Sequence, residues 1–245
     1  ARGMGAATLR AFVGAGADVI GMDVLDQEGK KVAEVAAAEG PGTASYMHVD
    51  VTDMEDVKAT FAKAVEKLGG LDVLAHPAAI HRNAPPEHAT VEDWDAIFAV
   101  NVRGTMITNQ VAYPYLRDAG GGAIINFGSI SGLRPEPTAP AYSATKGAVH
   151  SWTRSAAGAW GADNIRVNAV LPAIATPMYY EAQERASEEQ REIGYWRNQQ
   201  PIALGQKYGD PDRDLGPVMV FLASDASHFI TGQLIPVDGG QASTR

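Results

Sequence analysis

In Tyr142-Ser143-Ala144-Thr145-Lys146 a phenol and an amine stand four residues apart. On a helix that spacing puts both on one face. A phenol with a pKa near ~10 is a poor base at neutral pH, but a nearby ammonium favours the phenolate and lowers that value. The pair could then move a proton to or from an alcohol oxygen. The same five residues also fit a helix start with a surface tyrosine and a solvated lysine, so their surroundings decide. Just before them, Ile124-Ile125-Asn126-Phe127-Gly128-Ser129 reads as an apolar strand that closes on a glycine and a serine. In a parallel α/β sheet ligands lie beyond the carboxyl ends of the strands, which places Ser129 where a substrate belongs.

Elements that could hold such a site are legible along the chain. Strand-like runs at 17–22, 44–49, 71–75, 123–127, 165–171 and 234–237 alternate with helical patterns, the signature of parallel βα units. Met54, Val57, Phe61, Val65 and Leu68 recur at steps of three and four and share the face of one helix that covers the sheet. Asp53 is its expected N-cap, and Gly69-Gly70 stops it. Thr90 with Asp93, and Asp210-Pro211, are further helix starts.

With 245 residues, 45% of them hydrophobic, the chain can bury one large core, so residues 1–245 are expected to form a single domain. The absence of cysteine removes disulfides and thiolate chemistry. A net charge of -9 without any basic run argues against nucleic acid and anionic membranes as partners. No apolar stretch has the length of a membrane span. The six histidines show no metal-ligand spacing, so no metal is expected.

Together, Ser129, Tyr142 and Lys146, with Asn101 in Ala99-Val100-Asn101-Val102 and the closing run Thr231-Gly232-Gln233-Leu234-Ile235-Pro236-Val237-Asp238-Gly239-Gly240, resemble the short-chain dehydrogenase/reductase family in its short form. The resemblance covers essentially the whole chain. It implies an α/β fold with a doubly wound parallel sheet, Rossmann-like and three-layered, and interconversion of a secondary alcohol and a ketone by a nicotinamide dinucleotide in the cytoplasm. On this resemblance Tyr142 is the general acid and base, Ser129 holds the substrate oxygen, Lys146 grips the nicotinamide ribose, and Asn101 anchors a proton-relaying water. Taken alone, Asn101 could be a helix kink and Ser129 a strand-end cap.

The family's cofactor contacts map onto Gly3, Met4 and Gly5 in the opening turn, and onto Asp23, Asp50, Val51, Ala78, Tyr142, Lys146, Pro172 and Thr176. Small residues at 3 and 5 let a backbone approach a pyrophosphate at a helix N-terminus. Asp23, at the end of a strand, favours NAD over NADP, because a 2′-phosphate would meet a carboxylate. Arg2 argues the other way. Asp50-Val51 would contact adenine, or simply form a strand-end turn.

Two segments depart from the family pattern. His76-Pro77-Ala78-Ala79 stands where Asn-Asn-Ala-Gly is usual, and Pro172-Ala173-Ile174-Ala175-Thr176 lacks the usual Pro-Gly. Pro77 has no N–H to donate and Ala79 resists glycine-only conformations, so that turn must be held differently. His76 is read as filling the asparagine's hydrogen-bonding role. The chain also opens inside the glycine-rich turn, so the family's central first strand and first glycine are missing. Roughly ten further upstream residues, an apolar strand of about 5–6 residues and a turn, are expected in the functional polypeptide.

A lid is expected at about 176–206, with Met178, Tyr179, Tyr180, Tyr195 and Trp196 either facing substrate or packing. Arg134 and His81 could meet a polar or anionic group, or remain solvated loop charges. Relatives commonly pair through helices matching residues 102–118 and 143–160, which implies a homo-oligomer, a tetramer or dimer. The competing function is a dinucleotide-binding regulator or scaffold that kept the fold and lost turnover. A related epimerase or dehydratase is disfavoured by chain length.

Overall fold

Six short β-rich runs become six strands, and every pairing between them is parallel. The computed structural model describes residues 1–242. Its strands are β1 (Asp18–Asp23), β2 (Thr43–His48), β3 (Val73–His76), β4 (Gly122–Phe127), β5 (Ile165–Pro172) and β6 (Leu234–Val237). The principal helices are α1 (Gly3–Gly14), α2 (Asp26–Glu39), α3 (Met54–Leu68), α4 (Val91–Phe98), α5 (Gly104–Asp118), α6 (Pro140–Trp160), α7 (Pro177–Arg185), α8 (Glu188–Gly194) and α9 (Gly216–Ala223). Parallel neighbours need a crossover between them, which is why strands and helices alternate along the chain.

The strands form a pair, β1-β2, and a four-stranded sheet, β3-β4-β5-β6. Among the described residues no ladder joins β1 to β3. Helices cover both faces. Met4 and Phe12 of α1 and Leu215, Met219 and Leu222 at α9 pack with Ile125, Phe127 and Val170. On the other face Val57 and Phe61 of α3, Val111 and Leu116 of α5, and Ala156 of α6 pack with Ile124, Ile165 and Val167. The result is the three-layer, doubly wound arrangement expected from the sequence. Among the described residues no helix is long and apolar enough to cross a membrane.

Local signals act as anticipated. The Asp53 carboxylate accepts the N–H groups of Glu55 and Asp56 at the start of α3, satisfying donors with no helical partner. Thr90 caps α4 through the Asp93 N–H at 3.1 Å. Asp210 receives the N–H groups of Asp212 and Arg213. β3 begins two residues later than expected, at Val73, since only 73–76 match β4 in register.

Alternation along β4 sends Ile124 and Ile125 into opposite core layers, each almost wholly buried. Ile124→Ala should therefore destabilise the fold by about 2–5 kcal/mol, the usual cost of a buried large-to-small change. Urea unfolding checks this, and a loss below ~1 kcal/mol would mean that the layer around β4 is poorly packed.

Candidate active site

β4 ends at Phe127, and the chain leaves the sheet through Gly128 and Ser129 at its carboxyl edge. The Gly128 N–H still donates to Val170 O at 2.9 Å. Ser129 is extended (φ -164°, ψ 151°) and its hydroxyl oxygen accepts the Ser131 N–H at 3.1 Å. A short turn, Ile130–Gly132, then leads to α6, whose fixed-φ Pro140 stands in the first turn.

Tyr142 and Lys146 lie one turn apart on α6, facing that strand end. Lys146 is 3% exposed, and its Nζ donates to Phe127 O at 2.7 Å while lying 5.5 Å from the centre of the Tyr142 ring. Burial alone pulls its pKa down to about 8. Burial pushes the Tyr142 phenol up to about 12, with a hydrogen bond to Ser129 pulling the other way. The sequence reading expected a lowered phenol. Desolvation reverses it: the ammonium lies over the ring and donates to a main-chain carbonyl, and its charge offsets only part of the cost of a buried phenolate.

Asn101 sits in a π-helical bulge, Ala99–Arg103, that joins α4 to α5. Its side chain is fully occupied. Oδ1 accepts the Ile80 N–H at 2.8 Å, and Nδ2 donates to Ile80 O at 2.9 Å and to Thr145 Oγ1 at 3.1 Å. Thr145 in turn donates to Tyr142 O at 2.7 Å. Asn101 thus clips the loop after β3 to the start of α6, and this clip holds the turn that Pro77 and Ala79 could not hold in the expected way.

The remaining cofactor candidates converge on the same edge of the sheet. Gly3 has φ +48°, a left-handed conformation, and a Cβ there would stand 3.2 Å from the Thr176 side chain; at Gly5 a Cβ would stand 3.2 Å from Pro77. Thr176 is the extended residue before α7, so the glycine turn, the 77–79 loop and the end of β5 at Pro172 meet around one opening. Met4 turns its side chain into the core beside Phe127, leaving only its backbone to the site. No side chain caps α1 and its first turn holds no acid, so its positive end is left for an anion.

The Asp23 carboxylate accepts the Leu25 N–H at 3.1 Å. Asp50 accepts from the Thr52 N–H at 2.9 Å and the Thr52 hydroxyl at 2.8 Å, which hold its pKa below the usual carboxylate range. Its turn is thus structural whatever else it touches. Val51 packs against Gly104, where a Cβ would come within 2.9 Å of it. Ala78 is half-buried within the loop clipped by Asn101. This edge fits a nicotinamide dinucleotide: a capless helix end for phosphates, a glycine cradle for a close backbone approach, and a buried ammonium with donor capacity beyond its one carbonyl partner.

His76 is buried and shares a 3.0 Å hydrogen bond between Nδ1 and Thr108 Oγ1, while Nε2 has no partner among the described residues. Burial, with a smaller push from Lys146, depresses its pKa to about 3. It therefore takes up a hydrogen-bonding role as a neutral side chain. His81, at the solvent edge, places its ring 4.5 Å from that of Tyr142. Among the described residues no group of three or more His, Asp or Glu is placed to hold a metal ion.

The 176–206 segment is helical, with α7, α8 and a π-helical turn, Tyr195–Gln199. Met178, Tyr180 and Trp196 are exposed, whereas Tyr179 stacks edge-on with Tyr208 and accepts from Gln199 Nε2 at 2.9 Å. Sequence reading missed the tie that fastens this segment to the loop before α6: Arg197 donates to Glu136 at 2.8 Å. It also missed His150, whose Nε2 accepts the Ser129 N–H at 3.3 Å. The i, i+8 step from Tyr142 through Lys146 was the available signal for the latter.

A doubly wound parallel sheet with a serine, tyrosine and lysine gathered at its carboxyl edge defines a dinucleotide-dependent oxidoreductase. A family model described as enoyl-(acyl carrier protein) reductase matches residues 1–242. The chain is 38% identical over 242 residues to 3-oxoacyl-(acyl-carrier-protein) reductase of Thermotoga maritima, covering 98% of this chain and 94% of that protein. It is 35% identical over 242 residues to meso-2,3-butanediol dehydrogenase of Serratia marcescens, covering 99% and 91%. Levodione reductase superposes with a TM-score of 0.90 at 27% identity, covering 100% of this chain and 95% of that one. The protein belongs to the short-chain dehydrogenase/reductase family and is an oxidoreductase acting on CH–OH groups with a nicotinamide dinucleotide.

Proposed function

We propose that the protein interconverts a medium-sized, partly apolar secondary alcohol and its ketone, with NAD(H) preferred to NADP(H). The meeting of Ser129, Tyr142 and Lys146 around the end of β4 carries this reading. When bound, the nicotinamide supplies the hydride acceptor or donor. At neutral pH a phenol at about 12 keeps its proton, so Tyr142 is ready to donate it to the oxygen of a ketone under reduction. In oxidation Tyr142 takes the alcohol proton, and the positive charge of Lys146 stabilises the phenolate that results. Ser129 donates to the substrate oxygen as negative charge develops there.

Lys146, with one hydrogen on Phe127 O, has two left for ribose hydroxyls. With the Asn101 side chain committed to Ile80 and Thr145, its main-chain carbonyl, which accepts the Thr105 hydroxyl at 2.7 Å and keeps a second lone pair, is the group that would anchor a relay water. Gly3, Met4 and Gly5 would present backbone to the pyrophosphate, Asp50, Val51 and Ala78 would face adenosine, and Pro172 and Thr176 would face the carboxamide. Against the scaffold reading stand Ser129, Tyr142 and Lys146, since dinucleotide binding alone does not need the Tyr142 phenol.

Preference for NAD rests on Asp23 and on Arg2, whose guanidinium is paired with Glu28 at 2.5 Å and so offers less to a 2′-phosphate. Kinetics should give a higher kcat/KM with NAD than with NADP, and Asp23→Ser should narrow the ratio by about tenfold, ~1.4 kcal/mol of relieved repulsion. More efficient use of NADP by the unaltered protein would reverse the assignment.

The apolar groove of Phe98, Val102, Met106, Val149 and Trp152 supports pairing of copies through α5 and α6, as a dimer or tetramer. A cytoplasmic location agrees with these assignments. Purified protein mixed with NAD and a panel of secondary alcohols should generate reduced nicotinamide absorbance with at least one of them. No absorbance with any alcohol, nor loss of NADH with the matching ketones, would overturn the reading.

A further inference from the structure

We propose that His150 is a positioning residue for the reaction assigned above: its imidazole accepts the main-chain N–H of Ser129 and thereby fixes the serine hydroxyl in the site. The proposal rests on the role given there to Ser129. Tyr142, Lys146 and His150 follow at i, i+4 and i+8 on α6, so the three share the face turned to the end of β4. His150 is 3% exposed, and its Nε2 lies 3.3 Å from the Ser129 nitrogen.

The β4-β5 ladder ends where Phe127 faces Val170, and Gly128 makes the last main-chain bond to β5. Ser129 is thus the first residue beyond the ladder, and its N–H needs a new acceptor. Left without an acceptor, this part-buried N–H would lose its bond to water without gaining another. His150 supplies it. The imidazole is wedged between two glycines: a Cβ at Gly128 would stand 2.5 Å from Nε2, and one at Gly132 would stand 2.7 Å from Cε1. The chain before and after Ser129 is therefore folded around this ring.

An N–H donor requires a lone pair on Nε2, so the ring must be uncharged with its hydrogen on Nδ1. Burial, helped by the positive charges of Lys146 and Arg154, holds the His150 pKa down to about 4. The acceptor therefore persists at neutral pH. With the Ser129 N–H held by His150 and its Oγ receiving the Ser131 N–H at 3.1 Å, both ends of the serine are constrained. Lys146 is anchored separately on Phe127 O, so loss of the imidazole should misalign Ser129 without loosening the dinucleotide.

The test uses the whole chain with NAD and the secondary alcohol giving the highest rate. His150→Leu should lower kcat by about 10–100-fold, the scale of a small misplacement of a reacting group, while dinucleotide affinity stays within about twofold. His150→Gln, whose Oε1 reaches the place of Nε2, should recover kcat to within about threefold of the unaltered enzyme. Nitrogen NMR of the unaltered protein at neutral pH should find His150 protonated on Nδ1 and bare on Nε2, a readout independent of whether the leucine variant folds. Native kcat in His150→Leu, loss of turnover in His150→Gln with dinucleotide binding intact, or a proton on Nε2 would each overturn the proposal. Should Tyr142→Phe keep its turnover, the functional reading falls instead; should that variant be dead while His150→Leu is native, only the role of His150 falls.

Discussion

Tyr142→Phe should bind NAD as tightly as the unaltered protein and turn over about 10²–10⁴-fold more slowly, the usual contribution of a positioned acid or base. The substitution keeps the ring, and with it the packing against His81 at 4.5 Å and beneath the Lys146 ammonium at 5.5 Å. It deletes the one hydroxyl that carries the proton and meets Ser129. Fluorescence titration with NAD and steady-state rates in both directions check the two halves of this expectation. A variant within about threefold of the native rate would remove Tyr142 from the reaction.

Lys146→Ala should damage binding and turnover together. The ammonium is buried with its pKa pulled to about 8 by burial alone, a cost that finds its return in contacts made when the dinucleotide is bound. Charge-assisted hydrogen bonds contribute about 1.5–3 kcal/mol, so NAD affinity should fall by about 10–150-fold. Turnover should fall as well, since the phenolate of Tyr142 would lose the charge that stabilises it. Unchanged NAD affinity would detach Lys146 from the ribose. Unchanged kcat with weakened affinity would instead detach it from Tyr142.

The fold was largely legible because its signals are local. Asp53 caps α3 where an acid precedes a helical run, Val57 and Phe61 bury the face that their spacing selects, and β6 covers 234–237 as its apolar run does. Ser129, Tyr142 and Lys146 could be brought together on paper because a strand end and one helix turn determine their places. What escaped depends on contacts between distant segments. Glu136 and Arg197 lie 61 positions apart, and nothing near either one signals the other. The clip from Asn101 to Ile80 spans 21 positions, and its meaning emerges only once the loop after β3 lies against the bulge before α5.

The direction of the Tyr142 shift escaped for a different reason. Spacing reveals that an ammonium is near a phenol, but desolvation depends on how much of the protein closes over both, which is a property of the packed layers. The same holds for His76, which the sequence marks as a departure and the packing makes a neutral, buried partner of Thr108.

The most direct test of the central claim follows a single hydrogen. An alcohol from the active panel, carrying deuterium on its carbinol carbon, is incubated with NAD and the protein, and both products are weighed by mass spectrometry. Direct hydride transfer at this site predicts one deuterium in the reduced dinucleotide for every ketone formed, and almost none of either product with Tyr142→Phe. Ketone formed while the dinucleotide remains free of deuterium, or equal transfer by the phenylalanine variant, would contradict it.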